Sequence, residues 1–279
     1  MTATSNLSTV PVPHAVRDAE SVPQILLHAA RHHPTSGTTY LQRTGGAPAV
    51  RVHRSHPQLL DDALRLTGAL RNQGLRPQSK VVLLLDDHED FVTVLWACFL
   101  GGFVPCPMVA QPADPTRWAS ALRHVDELLE GPLVVTSLAM RDTMPTVPGL
   151  APVTVESLRS GEHPPFVHHP STDDLALLVL TSGSTGNAKA VSLTHGNLLS
   201  SMAAKSAVQC LTPGDITFNW ISFDHVAALL ETHLLPLYSG AQQIHAPSEI
   251  VADDPMQFLR IISRHRVTMT FTPNFLLGQ

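Results

Sequence analysis

Lysine is the scarcest charged residue of this 279-residue sequence: only Lys80, Lys189 and Lys205 are present, and arginine carries most of the positive charge. With a formal net charge of −5 and no basic stripe, the chain lacks the electrostatic footprint of nucleic-acid binding, so nucleic acid is excluded as its main partner. Cysteine is as rare. Cys98, Cys106 and Cys210 are odd in number and fit no zinc or redox motif, a usage that fits a reducing compartment. No apolar run reaches the ~18 residues that a membrane span needs. The opening stretch MTATSNLSTVPVPHAVRDAE has no apolar core of signal-peptide length. These absences predict a soluble, cytoplasmic protein with no membrane partner.

What is present is a core. Hydrophobic residues make up 43% of the chain, enough to bury one large or two modest domains. Residues 1–20 read as a flexible lead. From Ser21, helical and strand patterns alternate. SVPQILLHAARHHP places Val22, Ile25, Leu26 and Ala29 on one helical face, with Ser21 as N-cap. PQLLDDALRLTGALRNQG has the same period and stops at Gly74. KVVLLL and FVPCPM are apolar almost throughout, the pattern of strands covered on both faces of a parallel sheet; PLVVTS reads as a strand and DDLALLVL as another buried strand. HEDFVTVLWACFLGG, TRWASALRHVDELLEG, THGNLLSSMAAKSAV, HVAALLETHLLPLYSG and DPMQFLRIISRHR read as helices between them. ITFNWIS, AQQIHA and VTMTFT read as further strands. The fold class is α/β. RSGEHPPFVHHPSTDD, residues 159–174, is the best linker. It divides the chain into a first α/β subdomain at 21–170 and a second at 171–279. The last residues, VTMTFTPNFLLGQ, stop as a new element starts, which reads as a truncation.

The densest chemistry lies in LLVLTSGSTGNAKAVSLTHGN, residues 177–197. Glycines between hydroxyl residues let backbone N–H groups converge and a ligand approach closely. Lys189 adds a compact positive charge three residues after Gly186. Phosphate is the ligand such a loop suits best; an ordinary surface turn is the bland alternative. A nucleoside-triphosphatase P-loop is disfavoured, because Lys189 follows no glycine directly and Ala190 stands where a hydroxyl would bind magnesium.

TSGSTGNAKAV closely resembles the signature loop of the adenylate-forming superfamily: acyl-CoA synthetases, fatty acyl-AMP ligases and adenylation domains of nonribosomal peptide synthetases. The pattern T-S-G-[ST]-T-G-x-P-K-G-V is matched at Thr181, Ser182, Gly183, Ser184, Thr185, Gly186, Lys189 and Val191. Ala188 replaces the usual proline and Ala190 the usual glycine. The resemblance extends over about Ser21 to Gln279, and FLRIISRHRVTMTFTPNF is most similar to the fatty acyl-AMP ligase branch.

The resemblance implies the N-terminal portion of an adenylate-forming enzyme, with two stacked α/β subdomains of mostly parallel sheets flanked by helices. It implies activation of a carboxylic acid, expected to be a fatty or other acyl acid, as acyl-AMP. ATP and Mg2+ would be the cofactors. Phosphopantetheine on an acyl or peptidyl carrier protein, or CoA, would accept the acyl group. It assigns Thr181, Ser182, Gly183, Ser184, Thr185, Gly186 and Lys189 to the phosphates, Lys189 and His225 to catalysis, and Asp224, His225 and Asn274 to the acid. No metal ligand is assigned. In amino-acid-activating relatives an aspartate after phenylalanine holds the amino group; Asp224 in SFDHV fits that role or that of a helix N-cap. His225 lines the acyl pocket or packs at a helix start. The family's adenine, ribose and C-terminal lysine motifs and its lid domain are absent from the sequence, so the chain is not expected to complete adenylation alone. Amino-acid adenylation in a peptide synthetase, or a non-catalytic nucleotide- or acyl-binding module, are the alternatives.

Overall fold

The structure, a computed structural model, describes residues 16–44, 47–161, 163–181, 188–274 and 276. After helix α1 (Pro23–His32) come strands β1 (Gly37–Thr44) and β2 (Ala47–Ser55), helix α2 (His56–Asn72), β3 (Lys80–Leu84), α3 (His88–Gly101), β4 (Val104–Pro107), α4 (Pro115–Leu129), β5 (Leu133–Thr136), α5 (Leu138–Arg141), β6 (Val153–Thr154) and α6 (Val155–Arg159). Strands β7 (Leu175–Thr181) and β8 (Lys189–Thr194) precede α7 (His195–Gln209), β9 (Ile216–Asn219), α8 (Val226–Leu229), a π-helical turn (Leu230–Leu234), α9 (Leu235–Tyr238), β10 (Gln242–His245), α10 (Ser248–Asp253), α11 (Met256–His265) and β11 (Met269–Thr270).

Two mostly parallel sheets are flanked by helices, as expected. The smaller has the order β4-β3-β5-β6 and the larger β11-β9-β10-β1-β2, in which only β1–β2 is antiparallel. Strand alternation sorts the side chains. Val81 and Leu83 face the main core with α2 and α3, whereas Val82 and Leu84 face α4 with Trp118, Leu122 and Val125. Helix α3 is apolar all round and accordingly enclosed, with Phe91 to Gly101 buried without a break. Its N-terminus is capped by Asp87, which accepts from the N–H groups of Glu89 and Asp90. The acidic cluster there also ties in β2: Arg51 meets Asp87 and Glu89, and Arg54 meets Glu89 at 2.6 Å.

Four expectations change. Ser21 does not cap α1: the N-cap position is Val22, with no side-chain cap, and Gln24 Oε1 instead accepts from the N–H of Ser21. Strands β1 and β2 are additional to the sequence-based elements. β1 pairs in parallel with β10 (Thr39 with Ile244), so the boundary near residue 170 does not separate the sheets. The 159–174 stretch is not a free connector. Phe166 N–H donates to Thr67 Oγ1, its ring lies 4.0 Å from the Arg71 guanidinium, and His168 N–H donates to Leu100 O. Among the described residues no helix is long and apolar enough to cross a membrane.

Candidate functional site

The apolar stretch that follows the glycine-rich loop is strand β8. β7 and β8 form an antiparallel hairpin whose last pair is Thr181 with Lys189. Thr181 Oγ1 donates to Lys189 O at 3.4 Å. The loop residues Ser182, Gly183, Ser184, Thr185 and Gly186 lie outside the described residues; the two feet of the loop lie within them. Alternation along β8 puts Ala190 against the α4 core and leaves Lys189 exposed, with no carboxylate partner among the described residues. Helix α7 begins only at His195, capped by Thr194 in a capping box with Asn197.

Beside the feet lies a cavity of about 480 Å³, lined among others by Met108, Arg117, His124, Thr181, Ala188 and Asp224. Arg117, Ser120, Ala121 and His124 recur at helical spacing along one face of α4, while Trp118, Leu122, Val125 and Leu129 form its buried face. His124 Nε2 stands 2.7 Å from Ala188 O. Asp224 is half-buried and makes no hydrogen bond or ion pair with any described residue. The N-cap role open to Asp224 is taken by His225, whose Nδ1 accepts from Ala227 N–H at 3.3 Å at the start of α8.

Phe223 holds Asp224 in place. Its buried ring stacks on Phe91 at 5.0 Å and meets His88, His233 and His245 at 4.8, 5.8 and 5.0 Å. Of these imidazoles only His245 comes from the larger sheet, where Gln243 and His245 alternate with Ile244 along β10; His88 opens α3 and His233 lies in the π-helical turn. Trp96 Nε1 donates to His233 Nε2 at 2.8 Å, and His233 Nδ1 lies 2.8 Å from Gln243 Oε1. This arrangement requires the proton on Nδ1. Burial pulls His233 down to about 4 and His245 well below the usual imidazole range, so both are neutral.

The structure thus brings Thr181 and Asp224 to one cavity and leaves Lys189, His225 and Asn274 apart from it. Lys189 does not line it. His225 is exposed, its ring 6.1 Å from that of Phe271, and Asn274 is exposed. His124 and Arg117 are the lining residues that sequence reasoning missed; their i, i+7 spacing on the polar face of α4 was the available signal. Among the described residues no group of three or more His, Cys, Asp and Glu could hold a metal ion.

Comparison with known proteins gives one answer. Residues 37–278 match the model of a family described as AMP-binding enzyme. The chain is 36% identical over 268 residues to nonribosomal peptide synthetase acyN of Ascocoryne sarcoides, covering 93% of this chain and 28% of that protein. It is 32% identical over 274 residues to atromentin synthetase invA2 of Paxillus involutus, covering 95% and 28%. Its fold matches the structure of McyG A-PCP complexed with phenylalanyl-adenylate, with TM-score 0.86, 30% identity and coverage of 92% of this chain and 41% of that one. The chain thus spans less than a third of the length of these two curated relatives. With its loop motif, sheet order and these matches in agreement, the chain belongs to the AMP-binding, adenylate-forming enzyme family.

Proposed function

We propose that this domain serves the ATP-dependent activation of a carboxylic acid as acyl-AMP, for loading onto a carrier-protein thiol in a peptide-synthetase-type assembly in the cytoplasm. In this reaction ATP supplies the electrophilic α-phosphate and pyrophosphate as leaving group. The residues of this chain bind and orient. Lys189 and the loop Ser182 to Gly186 hold the phosphates and stabilise the charge that develops on departing pyrophosphate. The lack of any competing carboxylate at Lys189 among the described residues supports this role. A Mg2+ ion brought in with ATP would take its ligands largely from the phosphates and water and would help to neutralise their charge.

Asp224 carries the choice of acid. Its carboxylate lines the cavity beside Thr181 without a partner among the described residues, while His225 performs the capping. An unpaired, half-buried carboxylate calls for a cation, and an α-ammonium group supplies one. The McyG complex with phenylalanyl-adenylate agrees with an α-amino acid. A fatty acid offers Asp224 nothing, and the matched fatty acyl-adenylate ligase structures, at 22% identity, share the fold alone.

Calorimetry on the 279-residue chain tests both parts. A charge-assisted hydrogen bond is worth ~1.5–3 kcal/mol, so Lys189→Ala should weaken ATP binding roughly 10- to 100-fold. Unchanged ATP affinity refutes the phosphate role. With ATP present, L-phenylalanine binding should be lost in Asp224→Ala. Dodecanoate bound equally by both proteins, with no amino acid bound by either, would replace the amino-acid reading by the fatty-acid one.

A further inference from the structure

The two feet of the loop differ in how they are held. Among the described residues, the leading foot, Thr181, is tied to the trailing foot through the hairpin's last pair. The trailing foot is fixed to a different part of the molecule. His124 on α4 reaches Ala188 O at 2.7 Å, and two residues on, Ala190 packs with Leu180 against the core that contains Trp118, Leu122 and Val125. Lys189 sits between these two attachments. Helix α4 is a firm platform: Asp114 caps its N-terminus by accepting from Arg117 N–H, and Trp118 is completely buried beneath it. A carbonyl oxygen can only accept, so His124 Nε2 carries the proton and donates.

We propose that His124 is a positioning residue for the phosphate loop: its Nε2–H clamps the Ala188 carbonyl to α4 and so fixes the direction in which Lys189 leaves the strand. The clamp rests on the nucleotide-binding role proposed above. It also gives the departure from the family motif a physical reason. Ala190 brings a methyl group to the α4 core that the usual glycine cannot supply, so the two contacts dock the same three-residue segment. Lys189 gains by being aimed without an ion pair of its own. A lysine held by a carboxylate would lose part of its attraction for phosphate.

The test separates geometry from bulk. Glutamine places a side-chain N–H about where Nε2 lies, and asparagine places it nearer Nδ1. ATP titrations with wild type, His124→Ala, His124→Asn and His124→Gln should show about 5- to 10-fold weaker binding for Ala and Asn, the loss of one hydrogen bond of ~1 kcal/mol. Gln should return to within about twofold, since it restores that bond. Hydrogen exchange at the amides of residues 189–191, measured without nucleotide, should speed up in His124→Ala and recover in His124→Gln. Equal ATP affinity in all four proteins overturns the clamp, as does loss in Gln equal to that in Ala, or unchanged exchange in His124→Ala. Wild type that binds no ATP, with exchange behaving as stated, refutes the nucleotide-binding role and leaves the anchor as a structural contact only, which also overturns the positioning claim.

Discussion

Acid should unfold this protein at a pH where most carboxylates are still ionised, because buried imidazoles, those of His56, His195 and His233 among them, have nowhere to put a second proton. His56, His195 and His233 are 0 or 1% exposed, and burial lowers each to about 4 from an ordinary value of 6.5. The nitrogen that would take the proton is committed or enclosed in each case. His233 Nε2 accepts from Trp96, and His195 Nδ1 accepts from Val22 N–H. His56 donates Nδ1–H to His33 O, leaving a buried Nε2 with no partner among the described residues. The folded values lie below the unfolded one, so this stability is fully present above about pH 6.5 and is lost as pH falls toward about 4. At about pH 5 each group costs ~2 kcal/mol, and the three together about 5–6 kcal/mol. Domains of this kind hold only ~5–15 kcal/mol in total. Urea unfolding followed by circular dichroism, from about pH 7 to pH 5, should therefore show at least a halving of a 10 kcal/mol stability, as an order of magnitude. His233→Phe lowers stability at neutral pH by orphaning the Trp96 and Gln243 groups, yet flattens the pH dependence by about one proton, ~1.4 kcal/mol per pH unit. Stability constant within ~1 kcal/mol across that interval would refute the reasoning, since it needs the imidazoles to be protonated in the fold.

Other consequences are equally direct. A thiol reagent should label Cys210 alone in the native chain and all three cysteines in urea, because Cys98 and Cys106 are 0% exposed and burial pushes the Cys106 thiol up to about 12; rapid native labelling of Cys98 would contradict the packing of α3. Gly68→Ala should destabilise by ~1–3 kcal/mol despite the better helix propensity of alanine. Its Cβ would lie 2.2 Å from Pro164 O, and thermal unfolding reads the outcome. Ser55→Ala removes a capping box at α2 and should cost ~1 kcal/mol in the same assay, with the fold unchanged.

Helices α2, α3 and α4 were legible because local signals agree: periodic apolar residues, a proline or capping residue at the start, and a left-handed residue such as Gly102 at the end. The hairpin β1–β2 was not. GTTYLQRT and VRVHRS alternate polar residues through strands whose burial comes from neighbours about 200 residues away, a relation no local window contains. The loop motif was legible from its residue types and the helix after it from THGN, whereas the short strand β8 between them was not. VSL fits a strand or a helix start equally well, and only the pairing of β8 with β7 decides. Asp224 and His225 exchanged expected roles because both can cap a helix, and one residue of backbone phase settles which does. His124 escaped notice because a polar side chain on the outer face of an amphipathic helix looks solvated until a partner carbonyl arrives from residue 188.

The pairing of Thr39 with Ile244 sets a clock for a ribosome making this protein. At ~5–20 residues per second, the hairpin β1–β2 emerges roughly 10–40 s before the strand that completes its sheet. For that interval its edge, bounded by Thr38, Thr39 and Tyr40, is an open template for any extended chain nearby. The nascent polypeptide thus depends on chaperone shielding, or on slow docking of its own α1 and α2, to deliver β1 unpaired to its proper neighbour. Synonymous codons that slow translation between residues 55 and 242 would lengthen the exposure and lower the folded yield of an unchanged amino-acid sequence.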